Sequence, residues 1–188
     1  MRTLQRKKEL NALMRLAARI HPQVILEIGV DQGGTLSRWI ELLNGTGLII
    51  GIDRNPDTIN ILNSTLGDKM NGVCKIIIGD TKDPLTLAMT QSALKGRLVD
   101  FLFIDGNHSY EAVKSDYEIF SPLVRLGGII ALHDIAVPAT VVDPYDKSKF
   151  CGVKKFWSEL KAEKKREYID YKFKDHAYGI GVIVNDAG

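Results

Sequence analysis

The chain has 188 residues, 45% of them hydrophobic, and its 25 Lys and Arg against 23 Asp and Glu leave a net charge of +2. That length carries one well-buried domain and is short for two. The charge is too even to argue for a nucleic-acid partner, because the basic residues of the first twenty positions and of Lys161 to Lys174 read as solvated helix faces.

Cys74 and Cys151 have no cysteine near them to suggest a metal motif, and read as free thiols in a reducing compartment. No stretch approaches the ~20 apolar residues of a membrane span, and no apolar leader follows the first basic residues. A cytoplasmic protein with no membrane partner is expected; a homo-oligomer stays open.

Apolar residues at Leu4, Leu10, Leu13, Met14, Leu16, Ala17 and Ile20 predict an amphipathic helix that Pro22 stops. It forms a helical extension over 1–22, placed to cover a sheet edge, ahead of a domain over 23–188. Val24 to Ile28 predicts the first strand, with Glu27 near its end. The following Gly29-Val30-Asp31-Gln32-Gly33-Gly34-Thr35 turns it into a helix whose apolar face runs through Leu36, Trp39, Ile40, Leu42 and Leu43. In that turn Gly29 can take backbone angles closed to other residues, Gly33 and Gly34 let a ligand approach the backbone, and Thr35 can cap the helix.

Leu48 to Asp53 is a second strand ending in a carboxylate, about 20 residues past the loop, where such a group accepts ribose hydroxyls. A helix from Pro56 to Gly67 leads to a third strand, Val73 to Ile78, closed by Gly79-Asp80-Thr81. A helix from Asp83 to Lys95 precedes a fourth strand, Leu98 to Ile104, which delivers Asp105-Gly106-Asn107-His108. Tyr110 to Leu126 reads as one long helix closed by Gly127-Gly128, and Ile129 to Leu132 as a fifth strand ending in His133-Asp134. Ala136 to Phe150 is the longest predicted loop, of a length that often serves as a lid. Gly152 to Lys165 predicts a helix, and Tyr168 to Phe173 with Tyr178 to Val184 a closing hairpin. Strands and helices alternate throughout, so the expected fold is a doubly wound α/β domain with a seven-stranded, mostly parallel sheet and ligands at the strands' carboxyl ends.

Neither standard phosphate loop fits. The Lys-Ser/Thr of the triphosphate loop is missing, and Asp31 breaks the dinucleotide glycine spacing and would repel a pyrophosphate. A nucleoside without phosphates suits the loop and Asp53 better. Asp105, His133 and Asp134 end adjacent predicted strands, so they can converge on one divalent cation, with magnesium the natural guess and manganese, iron or zinc open because of the histidine.

The segment Glu27 to Thr35, with Asp53, resembles the first motif and ribose-binding acid of class I S-adenosylmethionine-dependent methyltransferases. Phe103 to Glu111, followed by Leu126 to Asp134 and Gly152-Val153-Lys-Lys-Phe156-Trp157, resembles the metal-dependent O-methyltransferases related to the cephalosporin hydroxylase accessory protein and the macrolide sugar enzymes. The resemblance implies O-methyl transfer from S-adenosylmethionine to a small hydroxylated acceptor. It implies a cofactor site from Glu27, Gly29, Asp31, Gly33, Gly34, Thr35, Asp53, Arg54, Asp80, Thr81 and Asp105, with Asp80 on the adenine amino group. It further implies a metal at Asp105, His133 and Asp134, and His108 as the base; the departure is His133, where that family more often has an acid. Two other readings are a nicotinamide-dependent oxidoreductase on a similar sheet and a methyltransferase-like binding subunit without catalysis.

Overall fold

A computed structural model of the chain describes residues 7–142, 147–148, 150–161, 165–170 and 178–186. Its strands are β1 (Val24–Ile28), β2 (Leu48–Asp53), β3 (Cys74–Ile78), β4 (Val99–Ile104), β5 (Val124–His133), β6 (Lys165–Tyr168) and β7 (Ile180–Val184). Its helices are α1 (Lys7–Ile20), α2 (Gly34–Leu43), α3 (Thr58–Thr65), α4 (Pro84–Leu94), α5 (Tyr110–Phe120) and α6 (Val153–Glu159). The strands form one sheet in the order β3-β2-β1-β4-β5-β7-β6. The first five are parallel, while β7 runs antiparallel to both β5 and β6. The expected doubly wound fold and its closing hairpin are therefore present.

The central strands read as unbroken apolar runs because helices cover both their faces. On one face Val24, Leu26 and Ile28 join Leu94 of α4, Val113 and Phe120 of α5, and Phe156 and Trp157 of α6. On the other, Ile25, Ile49, Phe101 and Phe103 meet Leu10, Leu13 and Ala17 of α1, Leu36 and Trp39 of α2, and Leu62 of α3. Trp39 is fully buried, 5.1 Å from the Phe101 ring, and is core as expected. α1 lies across a sheet face instead of covering an edge, and the predicted start of this helix, residues 3–6, falls outside the described residues. The Glu9 carboxylate of α1 also accepts the Asp170 N–H at 2.8 Å, which ties the helix to the end of β6.

Several boundaries differ from the sequence reading, among them β6, predicted over Tyr168 to Phe173 and observed over Lys165–Tyr168. The helix predicted to reach Leu126 stops at Phe120, because Pro122 lacks an N–H to continue the ladder; a short 3-10 turn over Ser121–Leu123 follows and β5 begins at Val124. Gly127-Gly128 thus lie inside β5, where the pairing with β4 shifts register after Val99 and Gly127 takes φ 71. Thr35 does not cap α2: Gly33 is the N-cap, in a left-handed conformation, and Thr35 is buried within the helix. α6 ends at Glu159, and Lys165, expected as its last residue, opens β6 with its Nζ 4.2 Å from the Trp157 ring center. Of the predicted loop, 143–146 and 149 lie outside the described residues, as do 171–177 of the predicted hairpin.

At the amino ends of the strands a single carboxylate fastens β1, β4 and β5. Asp100 accepts from the N–H groups of Gln23 and Val24 at 2.7 and 2.9 Å and from Arg125 Nε at 2.6 Å. Burial pulls this carboxyl upward, but Arg125 and the two backbone donors outweigh it and hold it below the usual carboxylate range.

Candidate active site

Every acid predicted at a strand end does sit at the carboxyl edge of the sheet, and there the structure holds a cavity of about 360 Å³. Its walls include Gly29 and Asp31 after β1, Asp53, Arg54 and Asn55 after β2, Gly79 to Lys82 after β3, Asp105 to Asn107 after β4, and Ala112 and Asp116 of α5. Five carboxylates, Asp31, Asp53, Asp80, Asp105 and Asp116, face two cations, Arg54 and Lys82. Such a lining favors a positively charged or amine-bearing ligand and disfavors a pyrophosphate.

Backbone geometry shapes the cavity. Gly29 has φ 86, and a Cβ there would run into the carbonyl of Asp105, so only glycine lets the β1 loop lie against the β4 loop. Asp31, also left-handed at φ 46, turns its N–H onto Asp53 Oδ2 at 2.8 Å, while Asn55 N–H reaches Oδ1 at 2.8 Å. The two donors fix the Asp53 carboxylate and leave its remaining lone pairs free to accept from a ligand. Asp80 accepts the Lys82 N–H at 2.9 Å in a tight turn, and Asp83 caps α4 through the Leu85 N–H at 2.9 Å.

Glu27, Gly33, Gly34 and Thr35 do not line the cavity. Gly33 packs instead against Leu62 of α3 and Leu66 just after it, where a Cβ would collide. Glu27 is 1% exposed and shares the face of β1 that packs under α1 and α2. Burial, with Asp105 and Asp53 adding to it, pushes its carboxyl well above the usual range; the Trp39 side chain works the other way. Glu27 therefore stands behind the cavity wall as a carboxyl that resists ionization.

Next to the cavity, and sharing Asp105 with it, is a cluster of two carboxylates and two imidazoles. His133 Nδ1 lies 3.1 Å from Asp105 Oδ1 and 3.2 Å from Asp134 Oδ1, and His108 Nε2 lies 3.1 Å from Asp134 Oδ2. Asp105, His108 and Asp134 each offer a ligand atom, and these three atoms all fall within 4.8 Å of one another. β4 and β5 are neighbors in the sheet, which brings Asp105 beside His133; Asp134 then turns its side chain back with φ 64, a conformation found at strained functional positions. Burial alone would lower His133, but Asp105 and Asp134 outweigh it and hold the imidazole protonated well above the ordinary histidine range. Burial pulls Asp105 upward, but His133 and His108 outweigh it and hold this carboxyl well below the usual carboxylate range. Both His133 ring nitrogens and Asp134 Oδ1 are buried without a well-directed hydrogen bond, despite their short separations.

Tyr178, Thr58 and Asp116 are among the site residues that escaped the sequence reading. Tyr178, at the entry to β7, stacks on His133 with ring centers 5.8 Å apart and 28° between planes. Thr58 of α3 lines the cavity, fully buried, with an unpartnered Oγ1. Asp116 of α5 lines it too, buried and hydrogen-bonded by Thr81, and here a signal existed: it falls between Val113 and Phe120 on the helix's buried face, a charge in an apolar stripe. The predicted Asn107 sits at the cavity wall with its Oδ1 accepting the Ser109 N–H at 2.9 Å. Ser109 is the N-cap of α5.

No curated protein matches the sequence. Among solved structures, the Bacillus cereus O-methyltransferase in complex with SAH has a TM-score of 0.72 at 19% identity, covering 96% of this chain and 82% of that one. TomG, the Streptomyces achromogenes O-methyltransferase involved in tomaymycin synthesis, solved with SAM, reaches 0.75 at 17% identity, covering 97% and 82%. An rRNA methylase from Streptococcus thermophilus reaches 0.68 at 9% identity, covering 99% and 100%. At such identities the likeness is one of fold. The sequence model of the family described as a methyltransferase domain matches residues 26–135, more than half of the chain, and spans β1 through Asp134. The chain belongs to that methyltransferase domain family.

Proposed function

We propose that the protein transfers the methyl group of S-adenosylmethionine to a hydroxyl oxygen of a small acceptor, with a divalent cation assisting. The observation that carries this reading is the sharing of Asp105 between an acidic nucleoside-sized cavity and the carboxylate and imidazole cluster. Bound cofactor supplies a sulfonium methyl that is already activated, so the protein has only to present an oxygen in line with it and remove its proton. Asp53, oriented by Asp31 and Asn55, suits a ribose diol; the acidic walls suit the cofactor's positive charge and amino group. A nicotinamide dinucleotide would have to lay its pyrophosphate against the same five carboxylates, which argues for methyl transfer over hydride transfer.

The site suits a divalent cation, since ligand atoms of Asp105, Asp134 and His108 lie within 4.8 Å of one another and a buried Asp134 oxygen lacks a well-directed partner. Asp105 and Asp134 would hold it, with His133 beside both. Magnesium suits the carboxylates, and the imidazoles extend the range to manganese or zinc. Such an ion would lower the pKa of an acceptor hydroxyl. His108, oriented by Asp134, would take the proton.

Titration calorimetry with S-adenosylhomocysteine and NAD in parallel tests the cofactor. Tight binding of NAD and none of S-adenosylhomocysteine would overturn the reading. For the metal, chelator-treated protein should lose methyl transfer and regain it with magnesium or manganese; full activity in chelator would leave the cluster acting without an ion.

A further inference from the structure

Helix α4 is apolar on the wrong side. Its inward positions include Thr86 and Thr90, 2% and 0% exposed, whereas Leu85 and Met89 stand outward at 63% and 43%. The inward threonines have a reason in the packing beneath them. Thr86 fills the space where a Cβ on Gly79 of the β3 loop would stand, and the Thr90 hydroxyl donates to the Thr86 carbonyl at 2.8 Å. That packing asks for small residues inside and gives no reason for Leu85 and Met89 outside. A lone exposed leucine is ordinary on a protein surface, but these two lie one turn apart on one face, with exposed Ala88 and Ser92 continuing the stripe. A helix that is apolar on both faces is expected to be covered on both.

The stripe itself says what covers it. It alternates large and small in the order Leu85, Ala88, Met89, Ser92, and α4 holds no charged residue. A second copy laid antiparallel, about a two-fold axis between Ala88 and Met89, sets Leu85 against Ser92 and Met89 against Ala88. Each large side chain then meets a small one, and the two helices can approach closely. Charge agrees with shape. Asp83 stands exposed at the start of α4 and Lys95 exposed at its end, so the same operation brings Lys95 of each copy to the end that carries Asp83 of the other. The two helix dipoles also run in opposite directions. An uncharged stripe, closed at its ends by opposite charges, fits another copy of itself better than a basic or an acidic partner. We propose that the outer face of α4 is the joint of a two-fold homodimer. α4 begins where the Gly79 to Lys82 wall of the cavity ends, so the joint steadies that wall in both copies.

Sedimentation equilibrium on the intact chain, from about 1 to about 500 μM, tests this. One helix pair lies at the low end of interface size, so a dissociation constant on the order of 10–100 μM is expected. Met89→Glu sets like charges beside the axis and should raise that constant at least about a hundredfold. Leu85→Glu should do the same, and an acid in the first turn favors the helix, so its effect cannot come from melting α4. Thermal melts of both variants check that they fold. Lys95→Asp turns the attraction to Asp83 into repulsion at both ends and should weaken the dimer about three- to tenfold. A native protein that stays monomeric at about 500 μM overturns the proposal. So does a dimer that folded Met89→Glu and Leu85→Glu both leave intact, since its joint then lies elsewhere. A Lys95→Asp variant that dimerizes like the native chain overturns the antiparallel pairing and the proposal with it.

Discussion

The cavity and the cluster share Asp105 but are made of different materials. The cavity is shaped by backbone: left-handed Gly29 and Asp31, amide donors on Asp53, and a tight turn at Asp80. The cluster is held by side chains from two strand ends, with charges of opposite sign within 3.2 Å and an aromatic ring stacked on His133. A pocket made of backbone can accept many ligands of one shape, whereas a cluster of titrating groups is committed to one kind of chemistry. Binding and turnover should therefore be separable by mutation, except where the two regions touch.

The largest separation is expected at His108. His108→Ala should lower kcat by about 10² to 10⁴ while leaving S-adenosylhomocysteine affinity within about threefold. The same variant distinguishes base from ligand. A base leaves metal affinity intact in calorimetry, and a matching loss of metal affinity would place His108 in the coordination sphere.

Gly29 is where the two regions touch, so Gly29→Ala should fail to separate them. A Cβ at φ 86 against the Asp105 carbonyl should cost about 2–4 kcal/mol of unfolding free energy in urea titrations, and both cofactor affinity and rate should fall together. A variant as stable as the native protein would mean that the β1 and β4 loops move apart freely.

Asp53→Ala probes the cavity alone. Loss of charged hydrogen bonds to a ribose should weaken S-adenosylhomocysteine by about 1.5–3 kcal/mol, with kcat at saturating cofactor largely retained. Unchanged affinity would remove Asp53 from the ribose role.

The smallest effect is expected far from both regions, at Asp100. Asp100→Asn should lower stability by about 1–2 kcal/mol at neutral pH, at the modest end for charged hydrogen bonds because Arg125 is partly exposed, without altering binding or rate. The sign with pH follows from a folded-state pKa held below the unfolded value of ~3.9. The contribution is fully present above about pH 5 and is lost as the pH falls through the lower folded-state value. Urea titrations at pH 7 and pH 3 should show the deficit of the variant shrinking at the acid end.

What could be read in advance follows the same division. The strands and the acidic strand ends were legible because parallel strands covered on both faces are apolar runs, and a carboxylate at the end of such a run stands out. Asp31 and Gly29 were legible for the same local reason. Thr35 misled because residue type suggested a cap where Gly33, packed on Leu62, sets the helix start. The end of α5 misled because two glycines inside β5 looked like a helix stop, while Pro122 had already ended it. Tyr178 could not be anticipated: its ring reaches His133 only because β7 pairs antiparallel with β5, so that Ile180 stands beside His133 in register. The pairing of His108 with Asp134 likewise depends on the positive φ of Asp134, which no sequence pattern announces.

The chain leaves the cluster at Asp134, whose carbonyl accepts the Val137 N–H at 3.1 Å, and returns to it at Gly152, whose N–H donates to the His108 carbonyl at 2.7 Å. Both anchors are main-chain bonds, and Gly152 admits no side chain because the Tyr110 backbone occupies that space. Residues 138–150 are thus a cassette whose entry and exit are fixed on the two residues nearest the chemistry. A substitution among the described residues 138–142 and 150 would leave both anchors in place, because neither bond uses a side chain from that stretch.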